Sequence, residues 1–226
     1  MFYSKKLNKF KSIKHCFFSR KNGFSKGLYK GLNCGRGSKD IKKNILKNLN
    51  YVSQKMLVKK NKLILMNQTH SNKVIEIKKS NFKKIINSDA IITRVKGLAL
   101  GVVTADCAPV IMYDLKNKIV GCIHVGWKGA FSEIIKNTVN KIKKLNTNNN
   151  IFACIGPCIG KKSYEVDLVF YKKFLNKSKK NKKYFSHKNK NKKLFNLRKF
   201  VADKLIELKV KVHHVDHDTF KEKMNF

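Results

Sequence analysis

Long apolar runs are missing from this sequence. No apolar stretch among its 226 residues approaches the length of about 20 that crosses a bilayer. The first twenty residues, which include several lysines, also lack the apolar core of a secretory signal peptide. We therefore expect a cytoplasmic protein that neither spans nor binds a membrane.

Arginine is also scarce. Only 4 of the 52 basic residues are arginines, so 48 are lysines, and they are spread along the whole chain. Proteins that read nucleic acids usually favour arginine and concentrate it on one face. The chain is also rich in Asn and Ile, whose codons, like those of Lys, are rich in A and T. We therefore interpret the net charge of +39 as composition and predict no specific nucleic-acid partner. A basic protein that binds polyanions remains the non-enzymatic alternative.

Disulfide bonds are not expected either. The cytosol keeps thiols reduced, so the six cysteines are packing groups, metal ligands or nucleophiles. The length suits one domain over residues 1–226 with a full hydrophobic core. No internal repeat divides it.

The middle of the chain has the pattern of buried strands. Residues 98–126 contain two nearly continuous apolar runs separated by a polar stretch at 114–118, which predicts a strand, a turn and a strand covered on both faces. Apolar residues at helical spacing then predict an amphipathic helix at 129–145. Residues 176–193 are so polar that we expect a solvated loop. Further strands are predicted at 63–68, 73–77, 89–93 and 210–215, and residues 151–160 are predicted to form a short buried strand that enters a Gly/Pro loop. Further helices are predicted from about 167 and over 197–208.

Three residues of metal-binding type lie at the ends of predicted strands beside turn-forming residues. They are His70 in NQTHS, Cys107 in TADCAP and His124 in HVGWKG. Such positions have a rigid backbone and an open side-chain tip, so the three side chains are expected to converge. One thiolate and two imidazoles suit Zn²⁺ and leave a fourth position for water or substrate. Because the three are far apart in sequence, spacing alone leaves ordinary core residues as the alternative.

A second group of possible ligands lies near the C-terminus, in HHVDHD at residues 213–218. In a strand, alternation would divide these side chains between two faces. A strand with surplus polar residues is therefore favoured over a metal site.

Seven short segments together resemble a known family. SRKNGFS, GLNCG, NQTHS, SDAIIT, TADCAPV, HVGWKGA and IGPCIGKKSYEV occur in the order and wording of the multicopper polyphenol oxidoreductase (laccase) domain family, over about residues 19–167. The resemblance implies an α+β fold, a layered α/β/β/α sandwich with mixed sheets, similar to a bacterial toxin deamidase. Carried over residue by residue, the zinc ligands of the family fall on His70, Cys107 and His124.

The resemblance also implies an activity. Members of the family act as purine nucleoside phosphorylases on adenosine, inosine, guanosine or methylthioadenosine with phosphate, and as adenosine deaminases. Zinc is the expected cofactor. Copper, despite the family name, fits poorly, because blue-copper and trinuclear sites need dense His/Cys clusters and a Met-type axial ligand. The sequence does not predict an oligomeric state.

Several other motif residues are candidates for the reaction. Cys107 and His124, together with Asp106, are the expected catalytic residues, with Asp106 orienting His70 or His124 or transferring a proton. Arg20, Asn33 and Lys128 are the expected substrate-binding residues, with Arg20 and Lys128 supplying positive charge for phosphate. Three of them have a structural alternative: a surface arginine for Arg20, turn chemistry for Asn33 and a strand-end cap for Asp106. Trp127 is expected to pack rather than to stack on a purine.

Two further expectations follow from the resemblance. Members of the family normally continue beyond the position of Phe226 with a motif like Phe-Ser-Tyr-Arg-Arg and a final strand, whereas this sequence stops at MNF. A truncated C-terminal end, or a site without those arginines, is therefore predicted. The alternative enzyme is a metal-free hydrolase in which Cys107 and His124 form a nucleophilic dyad acting on peptidoglycan precursors or amides.

Overall fold

The computed structural model describes residues 1–146 and 148–226, which form both strands and helices. The strands are β1 (Leu63–Leu65), β2 (Val74–Ile77), β3 (Ala90–Thr93), β4 (Ala99–Gly101), β5 (Ala108–Asp114), β6 (Ile119–Val125), β7 (Ile151–Ile155), β8 (Glu165–Asp167), β9 (Phe185–His187), β10 (Lys192–Phe195) and β11 (Lys211–His214). The helices are α1 (Lys42–Lys55), α2 (Trp127–Phe131), α3 (Ile134–Leu145), α4 (Leu168–Lys177) and α5 (Leu197–Glu207).

A six-stranded sheet in the order β11-β7-β5-β6-β3-β2 lies at the centre. β5 is antiparallel to β6 and β7, whereas β2 is parallel to β3 and β11 is parallel to β7. The sheet is therefore mixed. Its middle strands β5 and β6 are buried along nearly their whole length, which explains why they are apolar without alternation.

One face of this sheet carries helices. Ile92, Val110 and Ile123 belong to the same buried cluster as Ile135 of α3 and Val201 of α5. This cluster is the largest apolar core in the described residues. Among the helices described, none combines the length and the apolar character that crossing a membrane requires.

The other face of the central sheet is covered by a second sheet, in which β1 and β4 run parallel. Ile64 of β1 packs with Ile91 and Cys122 of the central sheet. Its neighbour Leu63 packs with Leu49 of α1. Because side chains alternate along a strand, β1 contacts the large sheet with one face and α1 with the other. The order of layers is helix, sheet, sheet, helix, which confirms the α+β class and the α/β/β/α arrangement.

The apolar run that begins at residue 98 forms two strands instead of the single predicted one. Its first part is β4 in the small parallel sheet, and β5 of the central sheet begins only at Ala108. The chain bends at residues 105–107 between them. This bend brings Cys107 to the start of β5. The second run forms β6 as predicted.

The predicted helix at 129–145 is also divided. Glu133 has φ 69°, a left-handed conformation that interrupts the helical backbone between α2 and α3. The helices expected near 167 and 197 are confirmed as α4 and α5. Asp167 caps α4 by accepting a hydrogen bond from the N–H of Phe170 at 2.7 Å, and Asn196 caps α5 in the same way.

The prediction of a solvated loop at 176–193 is wrong. Residues Lys179–Tyr184 form a 3-10 helix, and β9 and β10 join β8 in a three-stranded antiparallel sheet. The ring of Tyr184 lies 4.9 Å from that of Phe200, and Phe185 lies 4.9 Å from Phe195. Packing of these two aromatic rings against the helical core orders a segment most of whose lysines stay exposed.

Candidate metal centre

His70, Cys107 and His124 meet at one edge of the central sheet. One potential ligand atom from each residue lies within 4.8 Å of the other two. His124 is buried, Cys107 is partly buried and His70 is exposed. The expected convergence is confirmed, and one side of the cluster is open to solvent.

The strand order explains this meeting. β6 ends near His124, and the antiparallel β5 begins beside it, with Ala108 paired to Val125. β3 is also antiparallel to β6, so its start, Ala90, pairs with Ile123 at the same edge. The loop that carries His70 leads into β2, whose start lies beside the start of β3. Residues distant in sequence are thus neighbours at this edge.

His70 is held in a strained conformation by a buried carboxylate. Its φ is 58°, in the left-handed region that few residues other than glycine adopt. The backbone N–H groups of Thr69, His70 and Ser71 all donate to Asp89, at 3.1, 3.0 and 2.7 Å. The hydroxyl of Ser71 donates to the same carboxylate at 2.8 Å. Asp89 therefore fixes the whole turn that presents His70.

The same carboxylate orients the second histidine. Asp89 Oδ1 lies 2.8 Å from Nδ1 of His124, so Nε2 of His124 remains for a metal. Burial lowers the pKa of His124 although Asp89 opposes this shift, and the neutral imidazole that binds metals is favoured. Burial alone would raise the pKa of Asp89, but hydrogen bonds from His124, Ser71 and Thr69 outweigh it and hold the pKa below its usual range. Asp89 is thus an anion that pairs with the histidine, as carboxylates behind metal-bound histidines do.

Gly126 lets the backbone approach the cluster closely. A Cβ atom at this position would lie 2.9 Å from Cδ2 of His70 and 3.0 Å from Sγ of Cys107. An added methyl group would therefore crowd both side chains. The glycine of HVGWKG allows this close approach.

Burial raises the pKa of the Cys107 thiol to about 11, and the carboxylates of Asp106 and Asp89 add to the shift. Without a cation nearby, the thiol keeps its proton at neutral pH. A nucleophilic cysteine usually has a lowered pKa instead. A divalent cation beside the sulfur reverses this preference, because a coordinating thiol is deprotonated.

The donor set fits zinc. Bonds of about 2.0–2.3 Å in a tetrahedral site place ligand atoms roughly 3.3–3.8 Å apart, so small side-chain movements would close the observed arrangement. The rings of His70 and His124 stand 4.8 Å apart at 76°, which lets both point toward one atom. Three protein ligands with an exposed side are typical of catalytic zinc, whereas structural zinc has four.

Asp106 does not occupy the orienting position. Its Oδ1 accepts a hydrogen bond from the hydroxyl of Thr219 at 2.7 Å, and the carboxylate beside His124 is that of Asp89. The expectation that Asp106 orients a ligand histidine is therefore corrected. Asp106 remains exposed, next to Cys107 in the chain. Its role in proton transfer stays a prediction.

Lys128 and Trp127 lie at the start of α2, directly after Gly126. Lys128 is exposed, with its ammonium 5.8 Å from the ring of Trp127. The ammonium of Lys173 lies 5.2 Å from the same ring, and the ring of Phe170 is 5.1 Å away. Trp127 packs among these groups, as expected.

Arg20 and Asn33 are engaged elsewhere. The guanidinium of Arg20 donates to the backbone carbonyls of Lys30, Lys223 and Phe226. The amide of Asn33 donates to Ser38 and Asp40 and so braces a turn. Both residues line a cavity of about 1040 Å³, whose described lining does not include the three clustered side chains. Their role in substrate binding remains a prediction.

The C-terminal histidines form no comparable cluster. Within the described part of the chain, His70, Cys107 and His124 are the one group with metal-binding geometry. Nδ1 of His217 pairs with Glu222 at 2.8 Å, and Asp218 accepts hydrogen bonds from Gly160 and Ser163. These residues tie the end of the chain to neighbouring loops, and only His213 and His214 of HHVDHD lie in a strand, β11.

Asp89 is the residue that sequence reasoning missed. Its signal was present, because it directly precedes a buried strand in SDAIIT, just as Cys107 precedes β5. A carboxylate in that position needs several hydrogen-bond donors, and a loop with three successive N–H groups supplies them. The sequence does not reveal which loop lies opposite.

The chain belongs to the family described as multi-copper polyphenol oxidoreductase laccase, which it matches over residues 14–226. A relative from Rickettsia conorii, named purine nucleoside phosphorylase, is 36% identical over 166 residues, which are 73% of this chain and 68% of the relative. A protein of the same name from Bacteroides thetaiotaomicron is 30% identical over 178 residues, 74% of this chain and 66% of the relative. The matched part thus spans about two thirds of these relatives.

A solved structure has the same fold. The Bacillus licheniformis hypothetical protein YfiH superposes with a TM-score of 0.87, covering 92% of this chain and 83% of that protein at 23% identity. At this identity the likeness shows the fold alone.

Proposed function

We propose that this protein is a zinc-dependent purine nucleoside phosphorylase with adenosine deaminase as a second activity. The observation that carries the proposal is the convergence of His70, Cys107 and His124 within 4.8 Å on an open edge of the sheet. The names of the relatives support the same reaction. In it, the bond between C1′ of ribose and the purine breaks and a bond between C1′ and a phosphate oxygen forms.

His70, Cys107 and His124 would hold the metal, with Asp89 fixing the orientation of both histidines. Zinc, when bound, supplies a Lewis acid that orients phosphate or activates water. The protein contributes the rigid edge that keeps the site open. It also contributes positive charge, since Lys128 lies at the start of α2, two residues after Gly126.

Asp106 would act on the departing purine. It is exposed beside Cys107, and its position is fixed by Thr219. A carboxyl group so placed can carry a proton to the base as the glycosidic bond breaks. Deamination of adenosine would use the same open edge, with water in place of phosphate and ammonia as the second product.

The test couples metal analysis to an assay with identified products. Purified protein should carry about one zinc per chain and convert adenosine or inosine with phosphate to free base and ribose 1-phosphate. Cys107→Ser should lose the metal and nearly all activity while staying folded, because a hydroxyl is a much poorer zinc ligand than a thiolate. Cys154→Ala, a change at a buried cysteine outside the cluster, should leave the metal bound. Zinc retained by Cys107→Ser would exclude the proposed ligands.

The same experiment distinguishes the proposed zinc enzyme from the metal-free alternative. A nucleophilic dyad of Cys107 and His124 requires that iodoacetamide abolish turnover while chelators leave it intact. The raised pKa of Cys107 disfavours that dyad, since nucleophilic cysteines need the thiolate. We therefore expect chelators to remove activity and added zinc to restore it.

A further inference from the structure

The carboxylate of Asp106 is anchored by a residue distant in sequence. The hydroxyl of Thr219 donates to Asp106 Oδ1 at 2.7 Å, and the N–H of Ile159 donates to the backbone carbonyl of Asp106 at 2.9 Å. Asp106 is exposed, whereas only 7% of Thr219 is accessible. A buried hydroxyl thus holds an exposed carboxylate next to the cluster.

The backbone of Thr219 and the residue before it are themselves held by hydrogen bonds. Its N–H donates to the carbonyl of Cys158 at 3.2 Å. The preceding residue, Asp218, accepts from the N–H of Gly160 at 3.0 Å and from the hydroxyl of Ser163 at 2.6 Å. The segment that carries Thr219 is therefore bound to the loop that follows β7.

Arg198 of α5 strengthens this attachment. Its guanidinium donates to the backbone carbonyls of Gly156, Val215 and His217, at 3.0, 3.1 and 2.9 Å. Its Nε lies 3.2 Å from the carboxylate of Asp216. One side chain therefore joins the loop after β7 to the C-terminal segment, in the planar geometry that suits arginine.

We propose that Thr219 is a positioning residue of the reaction, which holds the carboxylate of Asp106 in one orientation beside Cys107, and that Arg198 holds the segment that carries Thr219. This inference rests on the proposed function, in which Asp106 acts on the departing base. Oδ2 of Asp106 has no hydrogen-bond partner among residues 1–146 and 148–226, so it is available to substrate.

The physical reason is the cost of a mobile catalytic group. An exposed aspartate samples several rotamers, and a hydrogen bond from a buried hydroxyl to one of its carboxyl oxygens selects one of them. Groups that act on a substrate must be held within about 0.5 Å of the productive position. The hydroxyl of Thr219 supplies this restraint without contacting the substrate.

The test compares Thr219→Val, which keeps the volume and removes the hydroxyl, with Thr219→Ser, which keeps the hydroxyl. In Thr219→Val we expect kcat of inosine phosphorolysis to fall about ten-fold, equivalent to about 1.4 kcal/mol, while KM and zinc content change little. Thr219→Ser should retain most of the activity. Crystal structures should show Asp106 in several rotamers in Thr219→Val and in one rotamer in the other two proteins.

Thr138→Val is the matched control. It removes another buried threonine hydroxyl, which donates to the carbonyl of Ile134 at 2.8 Å within α3. Adding Thr219→Val to an Asp106→Asn variant should lower kcat no further, because the two residues act as one unit. If Thr219→Val does not fold, Thr219→Ala removes the same hydroxyl with less steric demand.

Three results would overturn the inference: an unchanged kcat in Thr219→Val, an equal loss in Thr138→Val, or a single wild-type rotamer of Asp106 without the hydroxyl. If the wild-type protein catalyses no phosphorolysis, the proposed function fails. The crystal structures of the variants still decide whether Thr219 positions Asp106.

Discussion

At the scale of single residues, one carboxylate, that of Asp89, holds both His70 and His124 in position. Asp89→Asn would keep the shape but lose the charge opposite His124 and one acceptor for the turn at His70. Removing such a partner typically weakens metal binding by about 10–100-fold. We expect this loss in competition titrations of zinc against a chelator of known affinity.

Asp114→Asn is a matched control for this change. Asp114 is a completely buried carboxylate with several hydrogen-bond donors, but it lies at the other end of β5. Asp114→Asn should lower the free energy of unfolding and leave the zinc affinity unchanged. Equal losses of zinc affinity in both variants would mean that Asp89 acts only through general stability.

Gly126→Ala tests the packing of the centre. The backbone at this position, with φ −78° and ψ 169°, is open to alanine, so any effect comes from the added methyl group. That group would crowd His70 and Cys107, at an expected cost of about 1–3 kcal/mol, and zinc should bind more weakly. Zinc titration and thermal unfolding measure the two effects.

Gly37→Ala is the corresponding control, because a Cβ there meets nothing within 4 Å. It should leave both zinc affinity and unfolding unchanged. Wild-type zinc affinity in Gly126→Ala would show that the close approach has no function.

At the scale of elements, Asp114 links the end of β5 to the loop before β7. It accepts hydrogen bonds from the side chains of Asn117 and Asn149 and from the N–H of Asn150. Burial alone would raise the pKa of Asp114, but these bonds and that from Lys116 outweigh it and lower the pKa. Asp114→Asn should therefore reduce the free energy of unfolding by about 1–3 kcal/mol at neutral pH.

The pH dependence of this contribution has a definite sign. Because the folded state holds Asp114 at a lower pKa than the unfolded chain, its stabilisation is complete above the unfolded pKa of about 3.9 and is lost as pH falls through the folded pKa. Urea unfolding should show a smaller acid-induced loss of stability in Asp114→Asn than in wild type. If the free energy of unfolding falls equally with pH in the two proteins, Asp114 does not have the lowered pKa described above.

β6 could be predicted from the sequence because burial on both faces leaves a continuous apolar run. α3 and α5 could be predicted because their apolar residues recur at helical spacing. The division of residues 98–114 between two sheets was not predictable, since apolar content does not say which sheet a residue joins. The ordered segment at 179–195 was missed because two aromatic rings determine its position against a surrounding excess of lysine.

For the site, the sequence predicted the three clustered side chains but not the residues that hold them. Side chains at strand ends beside turn formers indicated His70, Cys107 and His124. Their partners depend on contacts across the sheet edge, so the exchange of roles between Asp89 and Asp106 required the register of β3, β5 and β6. The hydrogen bond from Thr219 to Asp106 spans 113 positions and leaves no local pattern.

At the scale of the whole molecule, the charge of +39 must repel itself. Only 13 acidic residues oppose 52 basic ones, so the folded chain concentrates positive charge that the unfolded chain would spread out. Salt shortens the screening length from about 30 Å at 0.01 M to about 8 Å at 0.15 M. We expect Tm to rise over this range of NaCl.

KCl at equal concentration should give the same rise, because screening does not depend on the cation. A Tm that falls or stays constant would show that attraction between neighbouring opposite charges offsets the repulsion. Binding to duplex DNA can be measured over the same salt range. A steep loss of affinity in a protein without catalytic activity would favour the polyanion-binding alternative.

The separation of the three clustered side chains along the chain determines when a metal can be captured. Cys107 and His124, the nearest pair in sequence, are brought together at the sheet edge by the pairing of β5 with β6. The complete set of three side chains therefore forms only when the strands have paired. Zinc would bind only the finished sheet edge, and free zinc at 100 times its Kd would stabilise the native state by about 2.7 kcal/mol. Metal supply would then set how long each molecule survives proteolysis, while the folding rate would be the same with or without zinc.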